Sequence, residues 1–318
     1  MPDMEPKSTR EGYGDALLAL GKEKKNVVVL DADLSASTQT SKFAKRYKKR
    51  FFNVGCAEQN LIGTAVGFAI SGKVPFVSTY AIFSNRAWEQ IRNSVAHDNL
   101  NVKIAVSHAG LTNGPDGASH QSLEDIALMR VIPNMRVIVP SDAIEAEKAI
   151  ISEAYQAGPA YIRLNRVKTP IIFDEDYEFK SGSAIKLKDG EDLTIIACGT
   201  MVHEALEAEK MLREENISAC VLNVHTIKPI DKKSIIKEAK KTGTIVTVEE
   251  HSIYGGLGGA VAQVIVESYP VPMKIMGVND RFGESGEYRE LLEKYRLTAT
   301  NIKESVKEIL GKKDENFY

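Results

Sequence analysis

Val102-Lys-Ile-Ala-Val-Ser-His108-Ala-Gly-Leu-Thr-Asn-Gly-Pro-Asp116-Gly-Ala-Ser-His120 runs from an apolar stretch into a loop bearing two imidazoles and a carboxylate. Val102 to Ser107 reads as a buried strand. Pro115 stiffens the loop that follows, and Gly110, Gly114 and Gly117 loosen it. Open α/β sheets bind ligands at the carboxyl ends of their strands. Histidine is the side chain whose ordinary pKa lies nearest neutrality. A single histidine here would read as a surface turn capping its own backbone. Two histidines and an aspartate after a buried strand point instead to polar, proton-exchanging chemistry on a small molecule.

Outward from this strand the chain alternates helix and strand signals. Ser8 or Thr9 can cap a helix whose apolar face holds Tyr13, Ala16, Leu17 and Leu20. Strands are predicted near 26–30, 74–79, 136–139 and 160–164, with helices near 58–70, 83–97, 123–130 and 143–156. Lys168 to Gly190 breaks the rhythm with Pro170, an acidic cluster from Asp174 to Glu178, and two glycines. The rhythm then resumes with strands near 193–197, 218–222, 244–248 and 273–277. Helices follow near 202–214, 232–240, 258–268, 288–295 and 301–310, and the charged tail from Gly311 is expected to fray. The predicted fold class is α/β, as two doubly wound domains with mainly parallel sheets over 1–170 and 191–318, joined by a linker at 171–190.

Composition narrows the function. The chain has 318 residues, 43% of them hydrophobic, enough for a full core in each of two domains. Its 41 basic and 43 acidic residues leave a net charge of -2, which does not favour nucleic acid or an anionic membrane as partner. No apolar run approaches a membrane span, and residues 1–10 lack the core of a signal peptide. Three scattered cysteines without a CxxC argue against disulfides or a zinc site. The expected location is cytoplasmic.

Other segments carry candidate chemistry. Glu58 opens the apolar run Leu61 to Ile70, either as a helix N-terminal carboxylate or as a proton-sharing group in a cleft. Tyr80 and Phe83 end a strand, where they can pack in the core or flank a flat ring. Leu30-Asp-Ala-Asp33-Leu-Ser-Ala-Ser37-Thr38 leaves a strand with short polar groups suited to turns and anions. Arg10, Arg163 and Arg166 could meet a phosphate by paired hydrogen bonds. Gly255-Gly-Leu-Gly-Gly259 could cradle a phosphate but misses GxGxxG, and tight strand-to-helix packing is the preferred reading.

Taken together, Asp33-Leu-Ser-Ala-Ser37, Gly55-Cys-Ala-Glu58-Gln-Asn60, Thr79-Tyr-Ala-Ile-Phe83, His108 through His120-Gln, Ile132-Pro-Asn-Met135 and Glu249-Glu-His-Ser-Ile-Tyr-Gly-Gly256 occur in one order. This set resembles the C-terminal half of a transketolase over nearly the whole chain. The resemblance implies thiamine diphosphate as cofactor and a ketol transfer of the pentose phosphate pathway type. It implies Glu58, His108 and His120 as catalytic residues, with Glu58 sharing a proton with the aminopyrimidine ring. Asp33, Tyr80 and Phe83 would join Glu58 around the cofactor. Arg10, Ser37, Asp116 and Arg166, with both histidines, would hold a sugar phosphate.

Two departures from the pattern matter. Arg86 stands where family members often carry tyrosine; an arginine there resembles the related deoxyxylulose phosphate synthases. No Gly-Asp-Gly occurs; Lys188-Asp-Gly-Glu and Gly114-Pro-Asp-Gly do not fit it. The resemblance therefore implies that Mg²⁺ and the diphosphate are held by a separate N-terminal subunit in an α2β2 assembly, with self-association through both domains. The competing readings are a deoxyxylulose-phosphate-synthase-like enzyme, a 2-oxo acid dehydrogenase β subunit, a non-catalytic regulatory homologue, and a nucleotide binder using Gly255 to Gly259.

Overall fold

A computed structural model describes residues 4–315. Strands β1 (Val27–Asp31), β2 (Phe51–Asn53), β3 (Val74–Ser78), β4 (Lys103–Val106), β5 (Arg136–Ile138) and β6 (Ala160–Arg163) build the first sheet. They run parallel in the order β2-β1-β3-β4-β6-β5. Every residue of β1, β3, β4 and β6 is buried, as a parallel sheet covered on both faces requires. The helix Thr9–Glu23 starts at a capping box, in which the Ser8 N–H donates to Glu11 Oε2 at 2.9 Å. It crosses the helix Ala143–Tyr155 so closely that a methyl group on Gly12 would collide with the Ala143 carbonyl.

The second sheet comprises β7 (Ile185–Lys188), β8 (Leu193–Ala197), β9 (Ala219–Asn223), β11 (Ile245–Ser252) and β12 (Met273–Val278). Its order is β12-β11-β8-β9-β7, parallel except for β7 at the edge. The remaining strand, β10 (Thr226–Lys228), leaves this half and pairs antiparallel with β5 of the first sheet. One apolar cluster runs from Val28 and Val106 through Val139 to Ile196, Leu222 and Leu257, so the two halves share a core.

The structure departs from the sequence reading at definite places. β7 falls inside the stretch 171–190 expected to be a linker. Its Ile-Lys-Leu-Lys alternation half-buries one side only, and its lysines suit an exposed edge. The single helix expected over 83–97 is broken. It runs as an α turn (Ala81–Ser84), a 3₁₀ turn (Asn85–Ala87), a further short turn (Trp88–Gln90) and a π segment (Ile91–Ala96). The indole N–H of Trp88 donates to the Leu128 carbonyl at 2.9 Å within this stretch. Strands β2 and β10 and the short helices Ser35–Thr38 and Ser41–Arg46 were not expected. The last helix, Ala299–Glu315, runs past the expected end at Leu310; residues 316–318 of the tail lie outside the described residues.

Candidate functional site

The parallel strands of the first sheet end on one edge, and the candidate residues follow those ends. Asp33 follows β1, Glu58 follows β2, Tyr80 and Phe83 follow β3, His108 follows β4, and Arg166 follows β6. The sheet topology thus brings segments as far apart in sequence as Asp33 and Arg166 to a common rim.

His108 is the centre of one cluster. Its backbone is left-handed (φ +57), uncommon for a side chain with a Cβ, and the residue is 3% exposed. Its ring stacks on Tyr80 at 3.8 Å between centroids. Arg10 Nη1 lies 3.3 Å from Nε2, and Ser107 Oγ lies 2.8 Å from Nδ1. A guanidinium only donates, so Nε2 accepts and Nδ1–H donates to the serine. Burial first, then the Arg10 and Arg166 guanidinium groups, push the imidazole pKa down to about 3, which keeps it neutral at pH 7.

Arg10 also donates to the Ser37 carbonyl at 2.9 Å, while its Nε is buried with no partner among the described residues. Burial and the nearby Arg166 lower the Arg10 pKa from its ordinary value. Arg166 donates to the Asn113 carbonyl at 3.1 Å and pairs with Asp116 at 3.3 Å on the exposed rim of the loop. Arg10, Ser37, His108, Asp116 and Arg166 therefore lie together. Two guanidinium groups and a spare buried N–H make that end of the rim suited to an anion.

Aromatic rings extend the cluster. Tyr80 and Phe83 stack at 5.4 Å with their planes 9° apart. Phe83 then meets the His120 ring edge-on at 5.4 Å. Asn113 Nδ2 holds the His120 carbonyl at 2.7 Å, and Ser119 Oγ lies 2.9 Å from its Nδ1. His108, Tyr80, Phe83 and His120 form one continuous ladder of rings. One helical turn beyond Phe83, Arg86 Nε lies 3.3 Å from Glu58 Oε2. Glu58 is the first residue of the helix Glu58–Ile70, is 8% exposed, and lines a depression with Cys56, Ala57, Gln59, Asn60 and Arg86. Asp33 is exposed, with left-handed backbone, and accepts from Asn53 Nδ2 at 2.8 Å.

One sequence reading is corrected. Arg163 is not available to a phosphate. It is buried, with Nε 2.9 Å from Asp125 Oδ2 and Nη2 donating to the Glu250 carbonyl at 2.9 Å. Despite burial, Asp125 and Glu250 raise its pKa and hold it charged. The Gly255 to Gly259 turn packs tightly, as the preferred reading has it, with Gly258 against Ile275 and Thr247. The helix it opens already has an anion at its N-terminus: Glu249 accepts from the Leu257 and Gly258 N–H groups at 2.7 and 2.8 Å. A methyl group on Gly256 would collide with that carboxylate.

Three residues that shape the site went unnoticed in the sequence. Asp31 is fully buried and accepts from the Leu34 N–H at 2.5 Å, Thr38 Oγ1 at 2.7 Å and Thr40 Oγ1 at 2.9 Å, fixing the turn that carries Asp33 and Ser37. A carboxylate closing an all-apolar strand before a run of serine and threonine is the signal that marks it. Asp125 and Glu250 anchor the histidine loop and Arg163, but their partners are too distant in sequence for any local pattern.

Comparison with known proteins gives the family and the fold. Residues 5–171 match the transketolase pyrimidine-binding domain and residues 182–302 the transketolase C-terminal domain. The chain belongs to the transketolase family. It is 52% identical over 311 residues to a protein of Methanocaldococcus jannaschii provisionally named a transketolase C-terminal section, spanning 96% of this chain and 97% of that one. It is 42% identical to a 6-deoxy-6-sulfo-D-fructose transketolase subunit of a Clostridium species, over 96% of this chain and 95% of that subunit. A solved structure described as a split gene transketolase, inactive beta4 tetramer, superposes with a TM-score of 0.89 at 49% identity, covering 96% of this chain and 99% of that one. Within the family, the chain has the layout of the C-terminal half. No helix among the described residues is long and apolar enough to cross a membrane.

Proposed function

We propose that this chain is the C-terminal subunit of a thiamine-diphosphate-dependent transketolase, which moves a two-carbon ketol unit from a ketose phosphate to an aldose phosphate. An N-terminal subunit would supply the Mg²⁺ and diphosphate site, in an α2β2 assembly in the cytoplasm. The observation that carries this reading is the ring ladder from His108 to His120, with Arg10 and Arg166 at one end and Glu58 within one ion pair of the segment bearing Phe83.

The residues present fit the cofactor. A near-buried carboxylate and a pair of near-parallel aromatic rings suit a flat, proton-accepting heterocycle. When bound, thiamine diphosphate supplies a carbon nucleophile and an electron sink. Glu58 holds a proton at the ring nitrogen of the pyrimidine, while Tyr80 and Phe83 wall that ring off from water. Asp33 stands at the end of β1 near the same cleft. Arg10, Arg166 and Ser37 bind the phosphate of the sugar, while His108 and Asp116 face its hydroxyls and Asp116 orients Arg166. His120 stabilises charge growing on the substrate oxygen.

The names of the relatives keep the sugar open, since one is a sulfo-sugar transketolase subunit. Xylulose and ribose phosphates are the first substrates to try. The test is turnover of a ketose phosphate and of pyruvate by the chain combined with an N-terminal transketolase subunit. Ketol transfer that falls at least a hundredfold in Glu58→Gln supports the reading. Pyruvate turnover instead would favour the 2-oxo acid dehydrogenase or deoxyxylulose phosphate synthase reading. Any activity or binding indifferent to Glu58→Gln would favour a regulatory homologue.

A further inference from the structure

Arg86 has no part in the function proposed above, although its side chain touches the residue on which that function turns. Its Nε lies 3.3 Å from Glu58 Oε2, the one ion pair Glu58 makes among the described residues. The two members differ sharply in surroundings: the Glu58 side chain is 10% exposed, that of Arg86 74%. The backbone of Arg86 is held, since Gln59 Nε2 donates to its carbonyl at 3.3 Å. The side chain is free to swing into solvent while its anchor stays in place. Arg86 is the middle residue of the 3₁₀ turn Asn85–Ala87, which follows the α turn Ala81–Ser84.

We propose that Arg86 is a displaceable counter-ion for Glu58, a positioning residue that occupies the carboxylate in the empty half-site and competes with the cofactor's pyrimidine for it. This rests on the reading of Glu58 given above. A near-buried carboxylate without a partner is costly, and the guanidinium removes that cost before assembly. The same contact blocks Oε2, so a ring nitrogen can reach it only if Arg86 shares the oxygen or moves out. The three-quarters exposure of Arg86 makes the pair weak, which suits a contact that must open.

The experiment is calorimetric titration of the chain, combined with an N-terminal transketolase subunit, by thiamine diphosphate in the presence of Mg²⁺. Wild type, Arg86→Ala, Arg86→Lys, Glu58→Gln and the double variant are compared at about 0.05 and 0.5 M salt. Arg86→Ala is expected to bind about two- to fivefold more tightly at low salt, the range an exposed ion pair sets. The gap should close at high salt, where wild type's own pair is screened. Arg86→Lys should behave as wild type, and Arg86→Ala should change nothing in the Glu58→Gln background. Equal or weaker binding by Arg86→Ala at both salts overturns the proposal and leaves the role of Glu58 standing. Absent binding by wild type, or binding unchanged in Glu58→Gln, overturns the role of Glu58 and this proposal with it.

Discussion

Replacing Glu250 tests how the two halves hold the histidine loop in place. The residue is 3% exposed on β11. Its Oε1 accepts the Thr112 N–H at 2.7 Å, inside the loop Gly110–Asp116. Its Oε2 accepts Thr200 Oγ1 at 2.7 Å and Tyr288 OH at 3.2 Å, both from the second half. Burial pushes the Glu250 pKa up, and the Arg163 guanidinium opposes that shift. Two substitutions separate charge from acceptor capacity. In Glu250→Gln the amide oxygen can face Thr112, and the two hydroxyls can rotate to accept from the amide nitrogen. Only the attraction to Arg163 is lost, so the cost should be about 1 kcal/mol, because Asp125 still compensates the guanidinium. In Glu250→Ala the Thr112 N–H is orphaned and a cavity opens beside a buried cation, costing about 3–5 kcal/mol. Urea denaturation followed by circular dichroism measures both. Glu250→Ala should also raise the KM for the ketose phosphate, since it frees the loop that presents Asp116. Equal destabilisation by the two variants would refute the reasoning, as would a cost below about 1 kcal/mol for alanine.

Two further outcomes are expected. Arg10→Met should raise the KM for a phosphorylated sugar about tenfold to hundredfold and that for its dephosphorylated analogue by much less, because it removes charge-assisted bonds at the anion end; steady-state kinetics on both sugars checks this. His225 is fully buried, and burial pushes its pKa down to about 4. The unfolded chain, with an ordinary imidazole near 6.5, binds more protons between those values, so stability falls as pH drops through that window. That single group should cost about 2 kcal/mol between pH 7.5 and pH 5. His108 adds to the loss, while Asp142, whose pKa burial raises to about 6, runs the other way. Comparing wild type with His225→Asn at both pH values cancels those two; the variant should lose about 2 kcal/mol less on acidification. An equal loss would show that His225 does not titrate as argued.

Local chemistry made much of the fold legible. The mostly apolar runs that became β1, β3, β4, β6 and β8, and the helix Glu58–Ile70, stand where their patterns placed them. The histidine loop was legible because its imidazoles follow a strand end directly. What stayed hidden depends on partners far along the chain. Arg163 looked like a free surface arginine because Asp125 and Glu250 meet it only in three dimensions. Strand β10 carries no mark in its three residues that it will cross to the other sheet. The stretch 83–97 has the composition of one helix, and its breaks arise where Trp88, Arg86 and Phe83 each reach different partners.

The claim on which the account depends is that Glu58 and the ring ladder form half of a cleft completed by another polypeptide. Ketol transfer by the purified chain, supplied with thiamine diphosphate, Mg²⁺ and a ketose and aldose phosphate, tests it most directly. The account predicts no turnover by the chain alone and turnover once an N-terminal transketolase subunit is added. Sustained turnover without that subunit would contradict it.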